Sequence, residues 1–231
     1  MNTQQFMAVI ARKNMPGNVK LLLHFDGSDG STSFVDSSAS EHTVTADNAE
    51  IDTAQKKFGT ASGIFDVANA SSNLSIPHSD DFEMGSGDFT IDFWVRLDAT
   101  ALSNPIYLYG ISPASTNYMY ITSSAAGLNA AMNGGTTNQN IYLAPTAWTT
   151  SNSWTHVAFV RNGDDFHLYA GGTSISSITK STAEMVSSSV DINIGSNHVS
   201  GDIGDYWIDE FRVVKGKAMW TSNFTPPTAP Y

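Results

Sequence analysis

The segment GDFTIDFWVRLD sets the strongest limit on what this chain can fold into. Phe89, Ile91, Phe93 and Val95 alternate with Thr90, Asp92, Trp94 and Arg96, a period of two that fits a strand with one dry face. The theme repeats along the sequence. Val19, Leu21, Leu23 and Phe25 share one face in NVKLLLHFDG, which breaks at Asp26-Gly27. NPIYLYGISP, NYMYITS and GLNAAMNGG repeat it with more tyrosine, and VDINIG and DYWIDEFRVV supply late strands. SWTHVAFVRNGDDFHLYAGG reads as a hairpin turning around Asn162-Gly163. The sum is roughly a dozen strands of ordinary length, with only KAMWTS reading as helical. An all-β fold of two stacked antiparallel sheets is the economical way to bury so many alternating faces. No linker divides the chain, so residues 1–18 form an appendage ending at Pro16-Gly17, and residues 19–231 form one domain.

Composition narrows the function. Twelve Phe, eight Tyr and five Trp can fill a wide core between two sheets. Twenty-two acidic residues against 11 basic ones give a formal charge of −11, which repels phosphate backbones and anionic bilayers. Nucleic acid is therefore not an expected partner. Membrane insertion is not expected either, since no apolar run approaches the roughly 20 residues a span needs. The absence of cysteine excludes disulfides and thiolate metal sites. MNTQQFMAVIARKN lacks the pattern of a secretory signal, so an extracellular location is expected to require another route.

No catalytic constellation is readable. Glycoside hydrolysis needs two carboxyl groups facing one another across the sugar bond. Adjacent acids on a strand (Asp209-Glu210) point to opposite faces, and Asp80-Asp81 and Asp164-Asp165 read as loops. Glu50 and Asp52 have the right spacing, but Thr53 and Ala54 follow where sandwich-fold glucanases carry a third acid. There is no Gly-x-Ser-x-Gly elbow and no zinc-protease histidine spacing. His156, on one face with Trp154 and Ala158, is expected to be a semi-buried structural imidazole.

LLLHFDG, DSS, KKFG, GDFTIDFWVR, WTHVAFVRNG, INIG and IDEFRVVKGKAMWTSNFTPPTAPY follow one another in a recognisable order. Over residues 19–231 the chain resembles laminin-G-like, concanavalin A-like domains, above all those of phage tail and other virion proteins. The resemblance implies a concanavalin A-like jelly-roll sandwich of two antiparallel sheets. It also implies glycan or protein binding, and a virion or extracellular setting. Calcium is often held in such modules by an acid from the end of the first strand and another from the last strand. The matching positions here are Asp26 and Asp209. Asp26 equally fits a turn cap, and two carboxylates are few for an ion that takes six to eight oxygens.

Aromatic faces suit glycans. Tyr107 and Tyr109 share a face in strict alternation, as do Tyr118 and Tyr120, with Trp148 nearby in sequence. These five are the candidate ligand contacts, although tyrosines at i and i+2 also fit an ordinary sandwich core. Alternation in DYWIDEFRVV puts Trp207, Asp209, Phe211 and Val213 on one face and Tyr206, Ile208, Glu210 and Arg212 on the other. Glu210 is then expected to pair with Arg212. Asp209, among apolar neighbours, needs a cation or a hydrogen-bond cluster. Phe224 through Tyr231, rich in proline, is expected to pack as a strap. The expected function is noncatalytic recognition of host-surface glycan by a virion protein. The alternatives are a structural or decorating domain that contacts another virion protein, and a polysaccharide-degrading enzyme. Homo-oligomerisation stays open.

Overall fold

The computed structural model describes residues 16–66, 72–99, 101, 106–111, 117–134, 140–146, 151–181, 183–184, 189–195 and 205–231. The expected N-terminal appendage lies almost wholly outside these residues. Among the described residues, fifteen strands form two antiparallel sheets. The first sheet contains β1 (Val19–Leu23), β3 (Glu50–Asp52), β4 (Ser62–Phe65), β6 (Phe89–Leu97), β11 (Thr155–Asn162), β12 (Asp165–Ala170), β13 (Thr173–Thr179) and β15 (Tyr206–Lys215). Its order is β13-β12-β11-β6-β15-β4-β3, with β1 also on β15. The second sheet contains β2 (Thr45–Asp47), β5 (Asn73–Ile76), β7 (Ile106–Ile111), β8 (Asn117–Ser124), β9 (Gly127–Gly134), β10 (Ile141–Thr146) and β14 (Ile192–Ile194), ordered β10-β9-β8-β7-β14-β5-β2. The architecture is the expected jelly-roll sandwich.

Alternation built the inner faces. Phe89, Ile91, Phe93 and Val95 all lie in the core, where Phe93 stacks on Phe211 at 5.3 Å and Phe89 meets Phe159 edge-on at 5.1 Å. Each fully buried side chain of this size contributes about 1.5–3 kcal/mol. The β11–β12 hairpin forms as expected, one residue later than read: Asn162 pairs with Asp165, and Gly163 takes φ +60° in the turn.

Three expectations are corrected. β6 does not have one wet face, because Thr90, Asp92 and Trp94 are buried as well. KAMWTS forms no helix but runs over the outer face of the first sheet, where Met219 N donates to Thr90 Oγ1 at 2.9 Å. The strap expected at 224–231 is there, and it begins earlier in sequence. Trp220 and Phe224 stack at 4.0 Å over Ala158, Val160 and Tyr169, while Met219 and Tyr231 pack on Val19, Leu22 and Val214. Phe224 N donates to Gly172 O at 2.9 Å, and a Cβ at Gly172 would sit 2.0 Å from the Phe224 carbonyl oxygen. The strap therefore requires glycine there.

The third correction concerns β15. Asp209 pairs with Trp94 but Arg212 pairs with Asp92, so β15 holds one residue more than β6 between these pairs. This β-bulge places Glu210 at φ +52° and resets the alternation. Tyr206, Ile208, Phe211 and Val213 face the core. Arg212 turns to the outer face and binds Asp92 through both Nε (3.0 Å) and a terminal nitrogen (3.2 Å), so Glu210 is not its hydrogen-bonding partner. Glu210 instead accepts from His24 Nδ1 at 2.9 Å and from Tyr231 N at 3.1 Å. Asp92 also receives the Tyr231 hydroxyl and lies 3.2 Å from His156 Nε2. His156 is thus the structural imidazole expected, and it is fully buried.

Candidate functional site

The strap packs on the outer face of the first sheet, and the outer face of the second carries the sequence-predicted tyrosines. Its relief follows from register. In β8, Met119 and Ile121 enter the core, so Tyr118 and Tyr120 point outward. In β9, Leu128, Ala130 and Met132 point in, which turns Asn129, Ala131 and Asn133 out. In β10, Ile141 and Leu143 point in and Tyr142 points out, 54% exposed. One row runs across all seven strands as Tyr142, Ala131, Tyr120, Gly110, Asn193, Ser75 and Thr45.

The aromatic side chains on this face form a platform. Tyr118 and Tyr120 stack with centroids 5.4 Å apart and planes 19° off parallel, and Tyr107 meets Tyr120 edge-on at 5.8 Å. Ala131 is buried among them, so rings rather than backbone make the surface. Burial, reinforced by Tyr118, Tyr107 and Tyr142, pushes the Tyr120 hydroxyl up to about 12. It therefore stays a neutral donor and acceptor at physiological pH. The Tyr118 hydroxyl donates to Asn140 Oδ1 at 3.4 Å. Beside the rings on the same face, Thr122 and Asn129 hydrogen-bond to each other.

Three of the five expected ligand contacts are brought together here: Tyr107, Tyr118 and Tyr120. Tyr109 is corrected. A register shift between Tyr107 and Tyr109 rotates Tyr109 into the core, where it packs on Phe211 at 5.9 Å. Trp148 lies outside the described residues. Tyr142 was missed, although the alternation of IYLA carries the signal.

Asp26 and Asp209 do converge, but on the loop between β3 and β4. Asp209 Oδ2 accepts from Lys57 N (2.7 Å) and Phe58 N (3.0 Å), and Asp26 Oδ1 accepts from Thr60 N (2.5 Å) and Thr60 Oγ1 (2.8 Å). Asp209 Oδ1 is buried without a hydrogen bond of ordinary geometry. Burial, opposed by those two amides and aided by Glu210, pushes the Asp209 carboxyl up to about 7. The loop donors occupy one oxygen of each acid, and the pair supplies only two carboxylates toward the six to eight oxygens that calcium takes. Among the described residues no three His, Asp or Glu side chains are arranged to hold a metal ion. Of the spaced acids considered for hydrolysis, Asp52 is already engaged by Trp207 Nε1 at 2.6 Å and Ala54 N at 2.7 Å.

The family described as the concanavalin A-like lectin/glucanases superfamily (Laminin_G_3) matches residues 68–219. No curated protein matches the chain. Among solved structures, the binding domain of Paraclostridial mosquitocidal protein 1 is similar with a TM-score of 0.68 at 17% identity, over 88% of this chain and 50% of that one. The botulinum neurotoxin serotype G binding domain gives 0.66 at 17% identity, over 88% and 49%. A structure of botulinum neurotoxin type C, whose cell entry is dependent upon interaction with two ganglioside molecules, gives 0.65 at 14% identity, over 88% and 49%. The chain spans about half the length of these structures, and at such identities the likeness is one of fold.

Proposed function

We propose that this chain, which belongs to the concanavalin A-like lectin/glucanases superfamily, is a noncatalytic recognition module that binds glycan on the outer face of its second sheet. The observation that carries the reading is the platform of Tyr107, Tyr118, Tyr120 and Tyr142 on a face that the strap leaves open. Stacked phenol rings offer flat apolar area to the C–H faces of a sugar, and their hydroxyls with Asn133 and Asn140 offer polar partners at the margin. Similarity in fold to toxin binding domains supports a binding role. Display on a phage tail or related virion protein, toward host-surface glycan, is the setting we propose from the sequence resemblance.

The test is saturation-transfer NMR of the whole chain against a panel of defined oligosaccharides, repeated with Tyr118→Ala and Tyr142→Ala. Binding by the parent, weakened roughly tenfold in each variant without loss of melting temperature, is the expected result; tenfold corresponds to about 1.4 kcal/mol. Equal affinity in parent and both variants removes the platform from the function. A chain that binds no glycan but self-associates through Tyr142 supports an assembly role instead.

A further inference from the structure

From Ala99 to Val160 the chain carries no Lys, Arg, Asp or Glu. That stretch contains β7, β8, β9 and β10. The remaining strands of the second sheet, Asn73–Ile76, Ile192–Ile194 and Thr45–Asp47, add one acidic side chain, Asp47, on the edge strand farthest from β10. Beside β14 stands another acid, Asp191, whose carboxylate takes the Ser75 hydroxyl (3.2 Å) and His78 N (3.1 Å). Every lysine and arginine from Lys20 onward belongs to a strand of the first sheet, to the loop between β3 and β4, to the turn after β13 or to the strap.

Such a partition has a chemical consequence. Recognition of carboxylate, sulfate or phosphate groups relies on guanidinium or ammonium partners, because an anion stripped of water without a countercharge is costly. Among the described residues the platform offers none. Tyr120 stays neutral, the Tyr118 hydroxyl is engaged by a neutral amide, and Thr122 and Asn129 satisfy one another. A formal charge of −11 over the chain adds long-range repulsion toward polyanions. Building on the glycan-binding reading above, we infer that the ligand class of this face is a neutral glycan, one without uronate, sialate, sulfate or phosphate groups near the bound sugars. Ring stacking and hydroxyl-to-amide hydrogen bonds are what this surface can supply, and both suit an uncharged saccharide.

Matched pairs of probes test this: lactose against 3′-sialyllactose, chitohexaose against hyaluronan hexasaccharide, and dextran against dextran sulfate, each titrated at 20 mM and 300 mM NaCl. The expected result is binding of at least one neutral member, with its anionic counterpart roughly tenfold weaker at low salt. The gap should narrow as the Debye length contracts. Asn133→Lys, which sets a cation on the strand paired with Tyr118, should narrow it further at low salt. An anionic member that binds as tightly as its neutral match, or more tightly, overturns the neutral-ligand inference while leaving the face a glycan site. Failure of every probe to bind overturns the glycan reading and this inference with it.

Discussion

Asp92→Asn is the perturbation whose cost can be worked most directly from the structure. Asp92 is fully buried between β11 and β15. Burial alone would raise its carboxyl, but the Arg212 guanidinium and then His156 hold it below the usual carboxylate range. Arg212 binds it through two nitrogens, and the Tyr231 ring lies 3.6 Å beneath the guanidinium carbon. The substitution keeps shape and volume but removes the charge, leaving Arg212 nearly buried without its anion. Breaking a buried pair from one side costs about 3–5 kcal/mol. For a chain of this length each kcal/mol moves the melting temperature by about 2–4 °C, so a loss of roughly 6–20 °C is expected. The folded pKa lies below the unfolded one, so the stability that Asp92 contributes is present above the unfolded value near 4 and disappears as pH falls through the folded value. The gap between parent and variant should therefore close in acid. Urea denaturation from pH 3 to pH 8, with the m-value monitored, reads both effects. A loss below about 1 kcal/mol at pH 7, or a gap constant with pH, refutes the reasoning.

Two further outcomes follow from the same geometry. Asp209 has the opposite sign: its folded pKa of about 7 lies above the unfolded value, so its contribution is complete below about pH 4 and is lost as pH rises through 7. Asp209→Asn should gain stability relative to the parent between pH 5 and pH 8, by at most about 4 kcal/mol, read by urea denaturation of both proteins in the presence of EGTA. A variant no more stable than the parent at pH 8 would contradict burial as the dominant influence on Asp209. Deleting residues 224–231 removes Phe224 from Trp220 and Tyr231 from Asp92 and Glu210, and should lower stability by at least about 3 kcal/mol. Equal melting temperatures with and without the segment would refute the role of the strap.

The inner faces were legible because burial selects apolar residues at every second position, as in Phe89 to Val95 and Met119 to Ile121. Legibility ended at irregularities of backbone. The bulge at Glu210 occupies a positive φ without glycine to announce it, so strict alternation put Arg212 on the wrong face. The register shift before Tyr109 did the same in β7 and divided a tyrosine pair between surface and core. Asp92 and His156 looked solvated or half-solvated because the strap that buries them lies far along the chain. Tyr142 was legible and overlooked, being a lone tyrosine rather than one of a spaced pair. The convergence of Asp26 and Asp209 on the 57–60 loop followed the resemblance in place, though in this structure their partners are backbone amides and a threonine hydroxyl.

All eight tyrosines of the chain have a distinct position: Tyr107, Tyr118, Tyr120 and Tyr142 on the platform, Tyr109 and Tyr206 in the core, Tyr169 and Tyr231 under or within the strap. Fluorotyrosine NMR during titration with the strongest-binding oligosaccharide reads all of them at once. The account predicts shifts confined to the four platform resonances. Shifts at Tyr169 and Tyr231 with a silent platform would contradict it and move the binding site to the opposite sheet.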